Sequence, residues 1–314
     1  LNYTQWYSQH GKFEKSEQWM VNNLMLETIG GSQAYGCQTP TSDYDLLGII
    51  LPKAEHLFPQ KFGFILGFDQ VPAFSRKELK GKDGKVNIDG KMFEAEWVSL
   101  IEFFIHAGLK GSPNLVEILF VKRPLVTVGT KMGWMLRDNR QKFLSMKTFH
   151  AFKGYANGQM HRIRQRNPET EERKNLVAKH GYDVKMAYHT LRLIDQLEQI
   201  LLTNDIDLER NKEECKLMRK GEWGDFDRFD NEFQKRMSNL EEIKNKSNLS
   251  QFPRQGDLKI LLQEILEEHF GSFEKMGSEI SQTDYEFISS KDVFEKLDKI
   301  EKLLKPEPYV GMPG

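Results

Sequence analysis

The sequence predicts an α+β protein, with a small mixed sheet followed by a helical C-terminal part. Three observations predict it. Short apolar runs of strand length fall before residue 130, bounded by glycine, proline or charged turns. From Trp134 onward the apolar spacing becomes helical. Near the start, a turn of Gly30, Gly31 and Ser32 is followed, after ten residues, by Asp43-Tyr44-Asp45, which opens the apolar run Leu46 to Leu51.

Trp19 to Leu26 reads as a helix running into a short strand, Glu27 to Gly30. A second strand spans Tyr44 to Leu51 and stops at Pro52, since proline cannot continue a central ladder. Residues 53 to 90 read as an irregular insertion, in which Ser75 to Lys85 is a solvated loop or hairpin turning at Lys82-Asp83-Gly84. Lys91 to Val98 reads as a strand with Glu94 and Glu96 on one face and Phe93 and Trp97 on the other. Ser99 then caps a helix, with Glu102 as its capping-box partner and Leu100, Phe103, Phe104 and Ala107 on the buried face. Gly108 to Asn114 is a turn, and Pro124 to Gly129 is strand-like. Helices follow, broken between Arg219 and Asp230 around Gly221 and Gly224. Phe13, Trp19, Trp134, Phe149 and Phe152 read as core aromatics. The expected division is 1–133, 134–304 and a frayed tail, 305–314.

With 314 residues, the chain is long enough for about two domains. It is 39% hydrophobic and 29% charged, and no run approaches a membrane span. The N-terminal stretch lacks an apolar signal core. Two cysteines, Cys37 and Cys215, make neither a disulfide framework nor a zinc site, so a cytoplasmic location is expected. A net charge of −1 argues against global attraction to nucleic acid. Local basic clusters exist, one at Arg76, Lys77, Lys80, Lys82 and Lys85, another at Lys153, His161, Arg162, Arg164 and Arg166.

Side chains on a strand alternate faces, so Asp43 and Asp45 point the same way. Two such carboxylates tolerate each other best with a cation between them, and hard oxygen ligands suit Mg²⁺. Gly31 and Ser32 offer close backbone approach and a hydroxyl for phosphate oxygens. The alternative is a polar hairpin whose aspartates face solvent.

This ordered pair resembles the signature of the DNA polymerase beta superfamily of nucleotidyltransferases. A longer series of words is similar to its RlaP-like branch, predicted nucleotidyltransferases associated with RNA repair. They are Ser32-x-x-Tyr35-Gly36, Ser42-Asp43-x-Asp45-x-x-Gly48, Lys110 to Asn114 with Glu117, Phe152-x-Gly154-Tyr155-Ala156 with Gln159, Lys179 to Asp183 with Lys185, His189 and Arg192, and Arg219-x-Gly221-Glu222. Leu47 stands where the family usually has Arg, Ser112 where it has Asn, and Glu94 where the third acid is commonly Asp.

The resemblance implies a polymerase-beta-type catalytic domain over 1–133 and a helical domain over 134–304 that completes the cleft. It implies Mg²⁺-dependent transfer of a nucleotide from a nucleoside triphosphate, ATP or CTP, to an acceptor hydroxyl, with an RNA (tRNA) 3′ end as the favoured acceptor. Asp43 and Asp45 would bind a two-metal site. The third ligand is Glu94, with Glu96 left open beside it. Gly31, Ser32, Ser42, Lys185, His189 and Arg192 are the candidate nucleotide-binding residues. Lys185, His189 and Arg192 also share one helical stripe on their spacing, opposite Val184, Ala187, Leu191, Ile194 and Leu201. Tyr155, Gln159, Arg162 and Arg166 share another face, suited to stacking a base and binding phosphate. The competing functions are a protein-modifying AMP transferase and a catalytically silent nucleotide- or RNA-binding module.

Overall fold

The computed structural model describes residues 2–65, 67–166, 168 and 170–272. Residues Leu1–His269 form one compact unit, and the second unit, Phe270–Gly314, lies almost entirely outside the described residues. So do the expected helices beyond 272 and the tail 305–314.

Two short helices, α1 (Tyr3–Gln9) and α2 (Trp19–Asn22), lead into β1 (Leu24–Gly30), the one-turn α3 (Gly31–Ala34) and β2 (Tyr44–Ile50). The strand begins earlier than the sequence pattern suggests. Asn23 ends α2, its carbonyl accepting from the Leu51 backbone N–H at 2.8 Å and its side-chain amide donating to the Leu51 carbonyl at 3.0 Å. Met25 and Leu26 are then fully buried, with β2 on one side of the strand and β6 on the other.

The insertion holds α4 (Ala54–Leu57), β3 (Arg76–Leu79), α5 (Gly81–Gly84) and β4 (Val86–Ile88) before β5 (Lys91–Ser99). Within the expected loop or hairpin of 75–85, Arg76–Leu79 is a strand, and its partner is β5. β3 pairs antiparallel with Ala95–Val98 of β5, and its Arg76 and Lys77 suit a sheet edge that must not recruit another chain. After β5 come α6 (Leu100–Phe103), capped by Ser99, a wider π-helical stretch Phe104–Leu109, α7 (Pro113–Val116), β6 (Val126–Gly129) and α8 (Lys131–Asp138). The sheet runs β3-β5-β2-β1-β6, with β4 on β5. It is mixed: β2 and β5 are parallel and the other pairs antiparallel.

One sheet face is closed by the N-terminal helices. Tyr7, Phe13 and Met20 pack there on Leu46, Ile50, Phe93 and Trp97. Gly48 makes room for the buried indole, because a Cβ there would lie 2.5 Å from Trp97 Cδ1. Trp97 Nε1 donates to Thr4 Oγ1 at 2.8 Å. The fully buried Glu27 carboxylate accepts from the Tyr3 and Thr4 backbone and from Thr127 Oγ1, which fastens α1 to the sheet. A buried carboxylate needs such donors in place of water.

The remainder is helical: α9 (Met146–Gln165), α10 (Glu171–His180), α11 (Val184–Thr203), α12 (Lys212–Lys220), α13 (Phe226–Lys244) and α14 (Gln255–Phe270). Val184, Ala187, Leu191, Ile194 and Leu201 are all buried, and α11 packs against α9, α12 and α13. Phe13, Phe149 and Phe152 are buried, whereas Trp19 and Trp134 are partly exposed.

Candidate active site

The parallel register of β2 and β5 builds the acidic centre. Asp45 lies beside Glu94 and Leu47 beside Glu96, so the two Asp/Glu sets rise from one sheet face, opposite the packed aromatic face. Burial first, then the Glu94 and Asp43 carboxylates, push the Asp45 carboxyl up to about 6, while Lys80 and Lys185 pull it down. Burial and like-charged neighbours both disfavour the ionised form of this carboxyl.

The glycine turn abuts this cluster. Gly31 has φ +57°, and a Cβ there would lie 1.7 Å from Asp45 Oδ2. Glycine is required twice over, by the left-handed backbone and by the close approach. Ser32 follows at the start of α3 and is nearly buried.

A cleft of about 850 Å³ opens over these groups. Its walls include Gly31, Ser32, Ser42, Asp43, Asp45, Glu94 and Glu96 from the first part of the chain, and Tyr155, Gln159, Lys185, His189 and Arg192 from the helices. The candidate acids, the candidate nucleotide-binding residues, Tyr155 and Gln159 therefore line one cavity. Arg162 and Arg166 do not line it; Arg166 instead sits over the Phe226 ring at 5.0 Å. A second cavity of about 580 Å³, between the end of α11, α13 and the loop at 246–249, contains neither the acids nor the glycine turn.

The two glutamates have different partners. Glu96 is paired with Lys80 and with Arg76, the latter at 3.2 Å. Glu94 Oε1 accepts from the Gly81 backbone at 3.3 Å and lies 3.3 Å from Lys85 Nζ. Among the described residues no three His, Cys, Asp or Glu side chains already converge on a single point.

The helical stripe is not a solvated face. Arg192 is 6% exposed, and its Nη1 donates to Glu117 Oε1 at 2.5 Å. Glu117 Oε2 accepts from Tyr35 OH at 2.5 Å, and the guanidinium lies 3.7 Å from the Tyr35 ring centroid. Burial, then the Arg192 and Lys185 cations, hold His189 well below the usual histidine range, so its imidazole is neutral. Lys185 is the accessible cation of the three, 3.2 Å from Glu172 at the cleft mouth.

A family model for RlaP, the RNA repair pathway DNA polymerase beta family, matches residues 7–222. The chain belongs to the RlaP family. It is a nucleotidyltransferase of the polymerase beta type. Among solved structures, it is similar to a nucleotidyltransferase-like protein from Exiguobacterium sibiricum 255-15, with 10% identity, 95% of this chain and 87% of that chain covered, and a TM-score of 0.28. No curated protein matches the chain.

Within this RlaP-family framework, sequence reasoning left two kinds of residue unassigned. Arg219 on α12 donates to the Cys37 carbonyl at 2.7 Å and to Ser42 Oγ at 3.1 Å, so the helical part holds the loop that delivers Asp43. Ser42 Oγ also accepts from the Thr39 backbone at 2.8 Å, closing that loop on itself. The second kind is basic: Lys80 and Lys85, from the insertion, reach into the cleft. Their cluster was visible in the sequence, but its direction depends on β3 and β4 pairing with β5.

Proposed function

We propose that this protein transfers a nucleoside monophosphate from a nucleoside triphosphate, ATP or CTP, to an RNA 3′ hydroxyl, with tRNA as the favoured acceptor. The observation that carries this reading is the register of β2 on β5, which sets Asp45 beside Glu94 and against Gly31 in one cleft. Family membership supports the chemistry, and the family's RNA repair context supports the acceptor. The free thiols of Cys37 and Cys215 suit a reducing cytoplasm. No helix among the described residues is long and apolar enough to cross a membrane.

The donor set fits a hard divalent cation: three carboxylates from β2, the loop entering it and the adjacent β5, with Asp45 raised by burial and then by the other two, beside a turn with no room for a side chain. Asp43, Asp45 and Glu94 are the residues that would hold it, and Glu96, engaged by Arg76 and Lys80, braces β5 beside them. Two Mg²⁺ ions bound there would lower the pKa of the attacking hydroxyl and clamp the leaving phosphates. Gly31 and Ser32 cradle the triphosphate through backbone amides and the hydroxyl. The acceptor oxygen attacks the α-phosphorus in line, and pyrophosphate leaves. Lys185 neutralises charge on the phosphates. Arg192 acts from behind Tyr35, and the neutral His189 offers a hydrogen bond rather than a charge. Tyr155, 38% exposed on the cleft wall, stacks the base, and Gln159 lies one helical turn further along the same wall. In this reading residues 1–133 supply the acids and phosphate turn, and the helical part supplies the opposite wall.

The test is incubation with Mg²⁺, each α-³²P nucleoside triphosphate and a pool of intact and nicked tRNA. Label on RNA supports the proposal and names the nucleotide. Label on protein instead would make it a protein-modifying AMP transferase, and no label with any acceptor would make it a binding module. Two variants probe the cradle. Gly31→Ala should lower transfer by about a hundredfold, the usual scale for a misplacement of roughly 1 Å at a reacting centre. Circular dichroism should report an intact fold, with Tm lowered by the strained backbone and the close contact with Asp45. Lys185→Ala should weaken nucleotide binding by roughly tenfold without changing Tm; an unchanged Kd would return Lys185 to a surface role.

A further inference from the structure

The acidic centre already has a cation, and the chain supplies it. Lys85 Nζ donates to Asp43 Oδ2 at 2.6 Å and lies 3.3 Å from Glu94 Oε1. One ammonium thus spans a carboxylate from the loop entering β2 and one from the neighbouring β5, with side chains about one-third exposed or less on all three residues. Its backbone is fixed. Lys85 N donates to the Gly81 carbonyl at 3.0 Å, and the next residues form β4, with Val86 and Ile88 buried against β5. Its head is not fixed in the same sense, because lysine carries a point charge on a flexible four-carbon stem. Glu96 has its own cations in Lys80 and Arg76, so Lys85 serves Asp43 and Glu94 specifically.

A divalent ion and this ammonium compete for the same oxygens. Mg²⁺ binds carboxylate oxygen at about 2.0–2.1 Å and needs an octahedral shell, which leaves no room for an ammonium lodged between its ligands. Lys85, with Lys80, also lines the cleft that contains Gly31 and Ser32. We propose that Lys85 is a built-in counter-ion of the acidic centre, which keeps divalent-metal affinity low in the nucleotide-free protein and moves onto the triphosphate when metal and nucleotide enter together. This rests on the reading that Asp43, Asp45 and Glu94 hold the metal. It adds a coupling: metal and nucleotide each strengthen the other's binding, because one lysine must leave the acids and has the phosphates to receive it.

The experiment is Mn²⁺ binding without nucleotide, by calorimetry or by the loss of free-ion paramagnetic resonance signal, at fixed pH and salt. Wild type is compared with Lys85→Met, Lys85→Arg, Asp43→Asn and, as a charge-matched control, Lys131→Met. Lys131 pairs with Glu268 at 2.7 Å on a mostly exposed side chain and does not line the cleft. Lys85→Met should bind Mn²⁺ about tenfold more tightly than wild type, the scale on which one adjacent charge shifts ion binding to a carboxylate. It should also bind a non-hydrolysable triphosphate roughly tenfold more weakly. Lys85→Arg should stay close to wild type in the first measurement, and Lys131→Met in both. Equal Mn²⁺ affinity in wild type and Lys85→Met would overturn the counter-ion role. Tighter Mn²⁺ binding with unchanged nucleotide affinity would overturn the move onto the phosphates. Mn²⁺ binding that Asp43→Asn leaves untouched, or none in any variant, would remove the metal-centre reading itself and this inference with it.

Discussion

Asp43→Asn and Asp45→Asn should each lower nucleotide transfer by about a thousandfold or more while the protein stays folded. The substitutions keep shape and remove charge. They act where Asp43, Asp45 and Glu94 gather, facing a glycine turn that comes up against Asp45. Stability should not suffer at Asp45, and should fall only slightly at Asp43, whose partly exposed ion pair with Lys85 is weakened. The Asp45 carboxyl is raised to about 6 because burial and its acidic neighbours disfavour the charge, so a neutral amide relieves repulsion in the metal-free protein. The measurement is initial rate in the labelling assay beside a thermal melt. A variant retaining a tenth of the wild-type rate would sink the assignment of these residues. A variant that is inactive and also unfolded at lower temperature would show that the carboxylate is structural.

Glu117→Ala should destabilise the protein by about 3–5 kcal/mol, measured by urea unfolding. It leaves the Arg192 guanidinium buried, with its carboxylate partner gone and Tyr35 OH without an acceptor. The cost comes from the stranded charge and not from the worth of the pair, because an intact buried ion pair contributes little net stability after desolvation. The double variant Glu117→Leu/Arg192→Met should therefore recover most of the loss. That double variant also separates two roles for Arg192. If it is stable and transfers nucleotide poorly, the guanidinium serves the cleft through Tyr35. If it is stable and transfers at the wild-type rate, the pair is architecture alone. A loss below about 1 kcal/mol in Glu117→Ala would mean that water reaches the site.

What the sequence revealed about this protein follows the range of the forces involved. The nearness of Asp43 and Asp45 was legible because they are two positions apart at the start of a strand, although Asp43 itself falls in the loop before it. The α+β class was legible for the same reason, since strand-length runs and helical spacing each declare themselves within a few residues. Glu94 and Glu96 were not separable, because both sit on the same strand face. What distinguishes them is Arg76 and Lys80 arriving from β3 and the turn after it, a pairing across the sheet edge. The stripe at Lys185, His189 and Arg192 was seen as a stripe. Its burial was not, because Glu117 comes from 75 residues away and no helical periodicity reports a distant carboxylate. The start of β1 was missed since Trp19 to Leu26 suits a helix locally, and tertiary pairing overrides that preference at Leu24.

The Arg219 contact has a consequence for how this enzyme type can change over time. The loop carrying Asp43 is tied at Cys37 and Ser42 by a side chain 182 and 177 positions away, on α12. Two stretches that are remote in the gene therefore shape a single loop of the cleft. A sheet grafted without its matching helix would lose these two ties, and substitutions between Cys37 and Ser42 are expected to be coupled to those around Arg219.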